Sequence, residues 1–195
     1  MDPLNQNIQA GQVEPAEENI NWKPFVTDLV QTLVMALILF VGINAISARV
    51  RVDGYSMRPT LEDGEFVLVN KLSYRWSEVE RGDIIVFDFP LNMDEELIKR
   101  VIGLPGDQIV VQDGQVFVNG QLLNEPYIAD VPNYSGEWLV ADGTIFVLGD
   151  NRNNSNDSKD WGLLPIENIV GKASVIYWPP PMWNVIEHTD IFATQ

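Results

Sequence analysis

Gln108-Ile109-Val110-Val111-Gln112-Asp113-Gly114-Gln115-Val116-Phe117-Val118-Asn119-Gly120 reads as two short strands folded back on each other. Val, Ile and Phe favour a pleated, half-buried surface, and Asp113-Gly114 between them is a hairpin turn signal. The same pattern recurs on both sides. FVLVN (66–70), DIIVFDF (83–89), LIKRVI (97–102), TIFVLG (144–149) and KASVIYW (172–178) are short runs rich in Val, Ile and Phe. Asp-Gly, Pro-Gly and Asn-Gly signals separate them. No segment beyond residue 49 sustains helical spacing, and there is no internal repeat. The expectation is a mainly antiparallel β domain over 49–195, with an excursion or subdomain at about 108–143. Longer excursions are expected at 88–97, 120–143 and 150–165.

Upstream the composition is different. Residues 1–24 are polar and acidic before Trp22 and Lys23, and read as a flexible tail. From Leu29 to Ala48 the chain carries 20 consecutive residues without a charge. A helix of that length spans roughly 30 Å, the hydrocarbon thickness of a bilayer. Trp22 and Lys23 on one side, with Arg49 and Arg51 on the other, suit interfacial anchors. The reading is a transmembrane helix over 25–48. The alternative is a buried core helix, diluted by Gln31, Thr32, Asn44 and Ser47, but Leu33 to Ile43 is apolar all round. A cleavable signal peptide fits less well, because the preceding residues are acidic and the apolar run is long. By the positive-inside rule, one flanking cation before the span against Arg49, Arg51 and Arg58 after it leans towards a cytoplasmic C-terminal domain.

Composition excludes several chemistries. Hydrophobic residues make up 46% of the 195, ample for a core, and 28 acidic against 12 basic residues give a net charge of −16. So acidic a chain repels phosphate backbones, which disfavours nucleic acid as a partner. Without cysteine there is no disulfide, thiol nucleophile or thiolate metal site. His188 is the only histidine, so a Ser-His-Asp triad would have to use it and a multi-His metal site is impossible.

Hydroxyl nucleophiles remain. Ser56 lies in Val52-Asp53-Gly54-Tyr55-Ser56-Met57-Arg58-Pro59-Thr60-Leu61, where Gly54 allows unusual backbone geometry and Pro59 restricts Arg58. Taken alone, this is a rigid turn containing a serine. A serine nucleophile needs a base, and a lysine serves only if desolvation lowers its pKa. In Leu97-Ile98-Lys99-Arg100-Val101-Ile102, strand alternation gives Lys99 two apolar same-face neighbours, Leu97 and Val101. Arg100 points the other way and can stay solvated. The alternative is that Lys99 snorkels into water from an edge strand. The run Gly149 to Gly162 is too polar for a strand. A calcium loop fails on spacing, since Arg152 and Trp161 fall on ligand positions. Asn153-Asn154-Ser155 and Asn156-Asp157-Ser158 match the glycosylation triplet, a frequent chance pattern. Either a solvated loop or a side-chain network that orients neighbours fits this run.

Ser56-Met57-Arg58-Pro59-Thr60-Leu61, Arg81-Gly82-Asp83-Ile84-Ile85-Val86-Phe87, Lys99-Arg100-Val101-Ile102-Gly103-Leu104-Pro105-Gly106-Asp107, and Gly149-Asp150-Asn151-Arg152 through Ser155, Asp157 and Ser158 follow one another in order. This set resembles the ordered motifs of bacterial type I signal peptidases, from the span to about Pro165. The resemblance implies a signal-peptidase-type β catalytic domain behind a membrane anchor, acting without cofactor or metal. It implies a Ser-Lys endopeptidase that removes signal peptides from exported preproteins at the outer face of the bacterial plasma membrane, or of another export membrane. Its partners are then signal peptides and the lipid bilayer. Position by position, Ser56 is the nucleophile and Lys99 the general base. Ser155 orients the lysine by a hydrogen bond, Asp157 holds the polar loop, and Arg100 and Asp150 are structural. The Ser56 N–H donates to the oxyanion. Two positions depart from the family pattern. Gly54 stands where some members carry a serine as second oxyanion donor, and Lys159 stands where arginine is frequent. The rival readings are a self-cleaving repressor-type Ser-Lys protease, which lacks its basic DNA-binding module here, and a membrane-tethered non-catalytic β module that binds exported chains.

Overall fold

The structure, a computed structural model, describes residues 22–192. The tail expected at 1–24 lies outside these residues up to position 21, and Trp22 to Pro24 are helical. The chain divides into two compact units at Val41–Gly42.

Helix α1, Trp22–Ile46, has no buried residue along its 25 positions. Its most apolar stretch has a mean hydropathy of 2.3, long and apolar enough to cross a bilayer. The helix starts earlier and stops earlier than the uncharged run. Lys23 and Asp28 lie within it, whereas Ser47 and Ala48 already belong to strand β1, Ser47–Arg51. Those two residues pair with Asn70 and Val69 of β2, Phe66–Asn70, so the sheet ladder satisfies their backbone groups and ends the helix. The Lys71 N–H donates to the Ile46 carbonyl at 3.0 Å and ties down the junction.

The chain continues through a single-turn helix α2, Ser73–Trp76, and a long hairpin of β3, Ile84–Phe89, and β4, Asn92–Gly103. β5, Gln108–Gln112, and β6, Gln115–Val118, form the hairpin read from the sequence, with Asp113 and Gly114 both at positive φ. Next come β7, Gln121–Leu122, β8, Gly136–Leu139, and β9, Thr144–Leu148. A one-turn helix α3, Ser158–Trp161, precedes β10, Leu164–Pro165, β11, Ile169–Trp178, and β12, Asn184–Val185. All pairings are antiparallel. One sheet runs β1-β2-β11-β3-β4-β9-β10 with β12 beside β11, and a second runs β7-β6-β5-β8.

The stretch 88–97, expected as an excursion between two strands, is mostly strand itself. Asp88 pairs with Glu96, and Phe89 with Asn92 across a register shift. Residues 92–96 are exposed, so no apolar alternation marked them as strand.

Both faces of the larger sheet are covered. On one face Ile84, Val86 and Ile98 pack with Val52, Met57 and Leu61, which brings the serine-bearing loop onto the core. On the other, Ile85 and Phe87 pack with Val101, Ile145, Val147 and Leu164. The second sheet builds its core from Ile109, Val111, Val116 and Val118 against Phe146 and Leu148 of β9 and Ile191 near the C-terminus.

Candidate active site

Ser56 sits in the loop between β1 and β2. Two backbone bonds close the loop at its base, Val52 N–H to Glu65 carbonyl at 2.7 Å and Gly64 N–H to Val52 carbonyl at 2.8 Å. Asp63 accepts the Gly54 N–H at 2.7 Å, and Gly54 takes a positive φ of 94° that a side chain would strain. Met57 and Leu61, on either side of the turn that follows the serine, are fully in the core. The serine is half-buried on a loop anchored at both ends.

Lys99 approaches from β4. It pairs across the strand with Ile85 and shares its face with Leu97 and Val101, all members of one apolar cluster. Its side chain is 3% exposed, which rules out the snorkelling alternative. Lys99 Nζ donates to Ser56 Oγ at 2.8 Å and to the Ile98 carbonyl at 2.8 Å. Burial lowers its pKa from 10.5 to about 8. The Asp157 charge opposes this shift, Lys159 adds to it, and Asp150 and Glu95 oppose it. Near neutral pH a usable fraction of this lysine carries a free lone pair, held on a hydroxyl.

The segment after β9 frames the pair from the other side. Asn151 donates its N–H to the Ser56 carbonyl and its side-chain amide to the Tyr55 carbonyl, both at 3.0 Å. A Cβ on Gly149 would run into the Ser56 carbonyl and the Ser155 side chain, so only glycine admits this approach. Asp157 is fully buried. It accepts the Gly149 N–H at 2.9 Å and the Lys159 N–H at 3.2 Å, the latter as N-cap of α3. Lys159 contacts Asp157 at 3.4 Å and Asp160 at 2.7 Å, and it also donates to the Ser155 carbonyl. Its ammonium is a shared point charge rather than a fork on one carboxylate.

Ser155 lies beside Gly149 and Ser56, but its buried hydroxyl makes no hydrogen bond. The expected bond from Ser155 to Lys99 is absent, and the Ile98 carbonyl is the lysine's second partner instead.

Arg100 does not stay solvated. It is 1% exposed and forms a two-pronged pair with the equally buried Asp150, at 2.8 and 2.7 Å. Gly82 carbonyl accepts a further bond at 2.9 Å, and the Tyr127 ring stacks 3.9 Å from the guanidinium. Thr60 of the serine loop donates to Asp150 at 2.5 Å, linking that loop to the arginine. Sequence reading missed Asn151, Thr60, Tyr127 and Glu125, the last paired with buried Arg152 at 2.7 Å. Thr60 and Asn151 stand inside quoted motifs, while Tyr127 and Glu125 lie in a stretch with no periodic signal.

His188 is not part of this constellation. Its Nδ1 lies 3.1 Å from Asp83, which also holds Lys172 at 2.5 Å and the Tyr74 hydroxyl at 2.9 Å. Glu80, Asp83 and His188 are the one group of three potential metal ligands among the described residues. The Lys172 ammonium already neutralises the shared Asp83 oxygen and repels a cation there, so the cluster is an ion-pair network.

Three comparisons bear on this arrangement. The sequence model described as "Signal peptidase, peptidase S26" matches residues 26–178. A probable signal peptidase I-2 of Synechocystis is 45% identical over 161 residues, covering 79% of this chain and 74% of that protein. A signal peptidase I of Bacillus caldolyticus is 42% identical over 162 residues, covering 75% and 85%. A thylakoidal processing peptidase 1 of Arabidopsis thaliana is 39% identical and covers 76% and 46%. A solved signal peptidase I of Enterococcus faecalis aligns over 49% of this chain and 97% of that one, at 31% identity and a TM-score of 0.46. With the family match spanning most of the chain and relatives above 40% identity over three quarters of it, this chain belongs to the signal peptidase family, peptidase S26.

Proposed function

We propose that the chain is a membrane-anchored endopeptidase that cleaves signal peptides from exported preproteins, with Ser56 as nucleophile and Lys99 as general base. Signal-peptide cleavage follows from the family. The contact that carries the residue assignment is Lys99 Nζ on Ser56 Oγ at 2.8 Å, with the amine buried and its pKa near 8. Neutral Lys99 takes the Ser56 proton as Oγ attacks the scissile carbonyl. The Ser56 N–H has no acceptor among the described residues and faces the developing oxyanion in this reading. The lysine then protonates the leaving amine, and in the second half-reaction it activates the water that releases the acyl group. Ser155, with a buried hydroxyl that lacks a partner, is the group available to steady Lys99 once Ser56 Oγ is acylated. Arg100 and Asp150 brace the strand beneath the lysine and the serine loop at once.

An extended substrate has a place to add. β9 pairs with β4 only from Arg100 onward, so the edge of β4 before it is open on that side. Backbone pairing along the β4 edge suits an extended secretory cleavage site with small side chains.

The test is incubation of the full chain with a preprotein in detergent, with the cut located by mass spectrometry. Ser56→Ala, Lys99→Ala and Lys99→Arg should each abolish cleavage, and the double alanine variant should be no worse than either single. A folded Lys99→Ala protein with near-normal turnover refutes the assignment. In this reading the apolar helix spans the membrane and the β domain lies on its outer face. Protease added to intact right-side-out cells should therefore degrade residues 50–195, and full protection would place the domain inside.

A further inference from the structure

We propose that the surface where α1 joins the sheet binds the phosphodiester headgroups of anionic phospholipids, through Arg49, Lys71 and Arg75 around an apolar groove. The inference rests on the membrane-anchored reading above and adds a lipid preference to it.

Most of the 12 cations in this strongly acidic chain are paired. Arg51, Arg58, Arg81, Arg100, Arg152, Lys159 and Lys172 each have a carboxylate within 4.0 Å. Lys99 is committed to Ser56. Leaving aside Lys23 in the first turn of α1, what remains among the described residues is Arg49, Lys71 and Arg75. All three are exposed, and none has a side-chain hydrogen bond, ion pair or ring contact.

They also share one neighbourhood. The Lys71 N–H is bonded to the carbonyl of Ile46, the last residue of the apolar helix. Arg49 stands opposite Leu68 in the β1–β2 ladder, on the face away from the core that holds Val67 and Val69. Arg75 precedes Trp76, which is 81% exposed. Their neighbours in the chain and the ladder, Leu68, Leu72 and Trp76, line a groove of about 370 Å³ together with Ile46, Ser47 and Ser174.

Two considerations identify the occupant. Ile46 lines the groove and ends the apolar helix, so the groove is continuous with the segment that enters hydrocarbon. An exposed tryptophan beside it suits the headgroup level, where an amphipathic ring is stable. The second is charge. A domain this acidic is repelled by an anionic bilayer unless local cations offset the repulsion, and free cations attract such a surface by roughly a five-fold factor each. Among the described residues of the β domain, Arg49, Lys71 and Arg75 are the cations with no carboxylate or hydroxyl partner, and they put that charge at the junction.

The test uses the full chain reconstituted in phosphatidylcholine bilayers with trace spin-labelled phosphatidylglycerol or spin-labelled phosphatidylcholine, reading the motionally restricted fraction of each. The wild type should favour phosphatidylglycerol by roughly five-fold or more, and high salt should reduce the preference. Arg49→Gln/Lys71→Gln/Arg75→Gln should lose it while cleaving preprotein in detergent at the wild-type rate. If the triple variant fails to fold, the single variants replace it, each expected to lose part of the preference. Equal association of the two lipids with the wild type, or a preference that survives the substitutions, overturns the proposal. Alkaline carbonate separates the two readings. Release of the chain from the bilayer refutes the anchor itself, whereas a retained chain without lipid preference refutes only the headgroup site.

Discussion

Lys99 sits with Leu97, Val101 and Ile85 on one side of its strand, and the balance of charges around its amine sets the pH at which it can act. Below about 8 the protonated amine, which has no lone pair for the serine, increasingly predominates, so activity should rise as pH climbs through that value. The neighbours give predictions of opposite sign. Lys159 lowers the lysine's pKa, so Lys159→Gln should raise it and move the acid limb of kcat/KM to higher pH. The now less compensated Asp157 pushes the same way. Glu95 raises the pKa, so Glu95→Gln should move the limb to lower pH, while Lys159→Arg should leave it in place. Limbs that move together, or do not move, contradict Lys99 as the titrating base. The apolar side of this lysine was legible because alternation is a local rule. The surroundings of Arg100 were not. Alternation says that it faces away from Lys99, but what covers it, Asp150 and Tyr127, comes from segments distant in sequence.

Among the elements, the hairpins read cleanly wherever a turn signal joined two alternating runs, as at Asp113-Gly114. The two-residue strands β7, β10 and β12 and the outer half of β4 gave no such signal. They owe their conformation to the partners they pair with, and their side chains are largely exposed or too few to show a period. α3 is a similar case, a single turn inside a polar run, nucleated by its Asp157 cap. That aspartate does two things: it caps the turn, and it takes the Gly149 N–H that would otherwise be a buried orphan. Asp157→Ala should therefore cost about 2–4 kcal/mol of stability. It should also lower kcat, because Gly149 packs against the serine carbonyl. Asp157→Asn, which keeps an acceptor, should recover part of both. Thermal melts with parallel turnover measurements decide this, and an alanine variant unchanged in both would remove Asp157 from the site's support.

For the molecule as a whole, the mainly antiparallel architecture and the apolar helix were legible in composition and period, but the seam between them was not. The uncharged run continues through Ser47 and Ala48, and only pairing with β2 assigns them to the sheet. Removal of residues 1–46 should thus leave a folded, cleavage-competent β domain. Removal of residues 1–52 takes away β1 and the core contributions of Val50 and Val52, and should lower the melting temperature sharply and abolish cleavage. Equal melting temperatures for the two truncations would show that β1 is dispensable. The cations just past the span, which by loop-charge counting argue for an inward-facing domain, include Arg49, and in the lipid-binding reading its charge serves the headgroup layer instead. The seam itself has one more implication. Ile46 is the last helical residue and Ser47 the first of β1, with no connecting residue between them. β1 extends about 17 Å, and the ten steps from Ile46 to Ser56 reach at most about 36 Å. Ser56, on the loop that follows this paired strand, therefore lies within a bounded chain length of the last helical residue. In the membrane-anchored reading that length is a leash: a bond lying farther from the point where the chain leaves the helix than the leash reaches cannot meet Ser56, whatever side chains flank it.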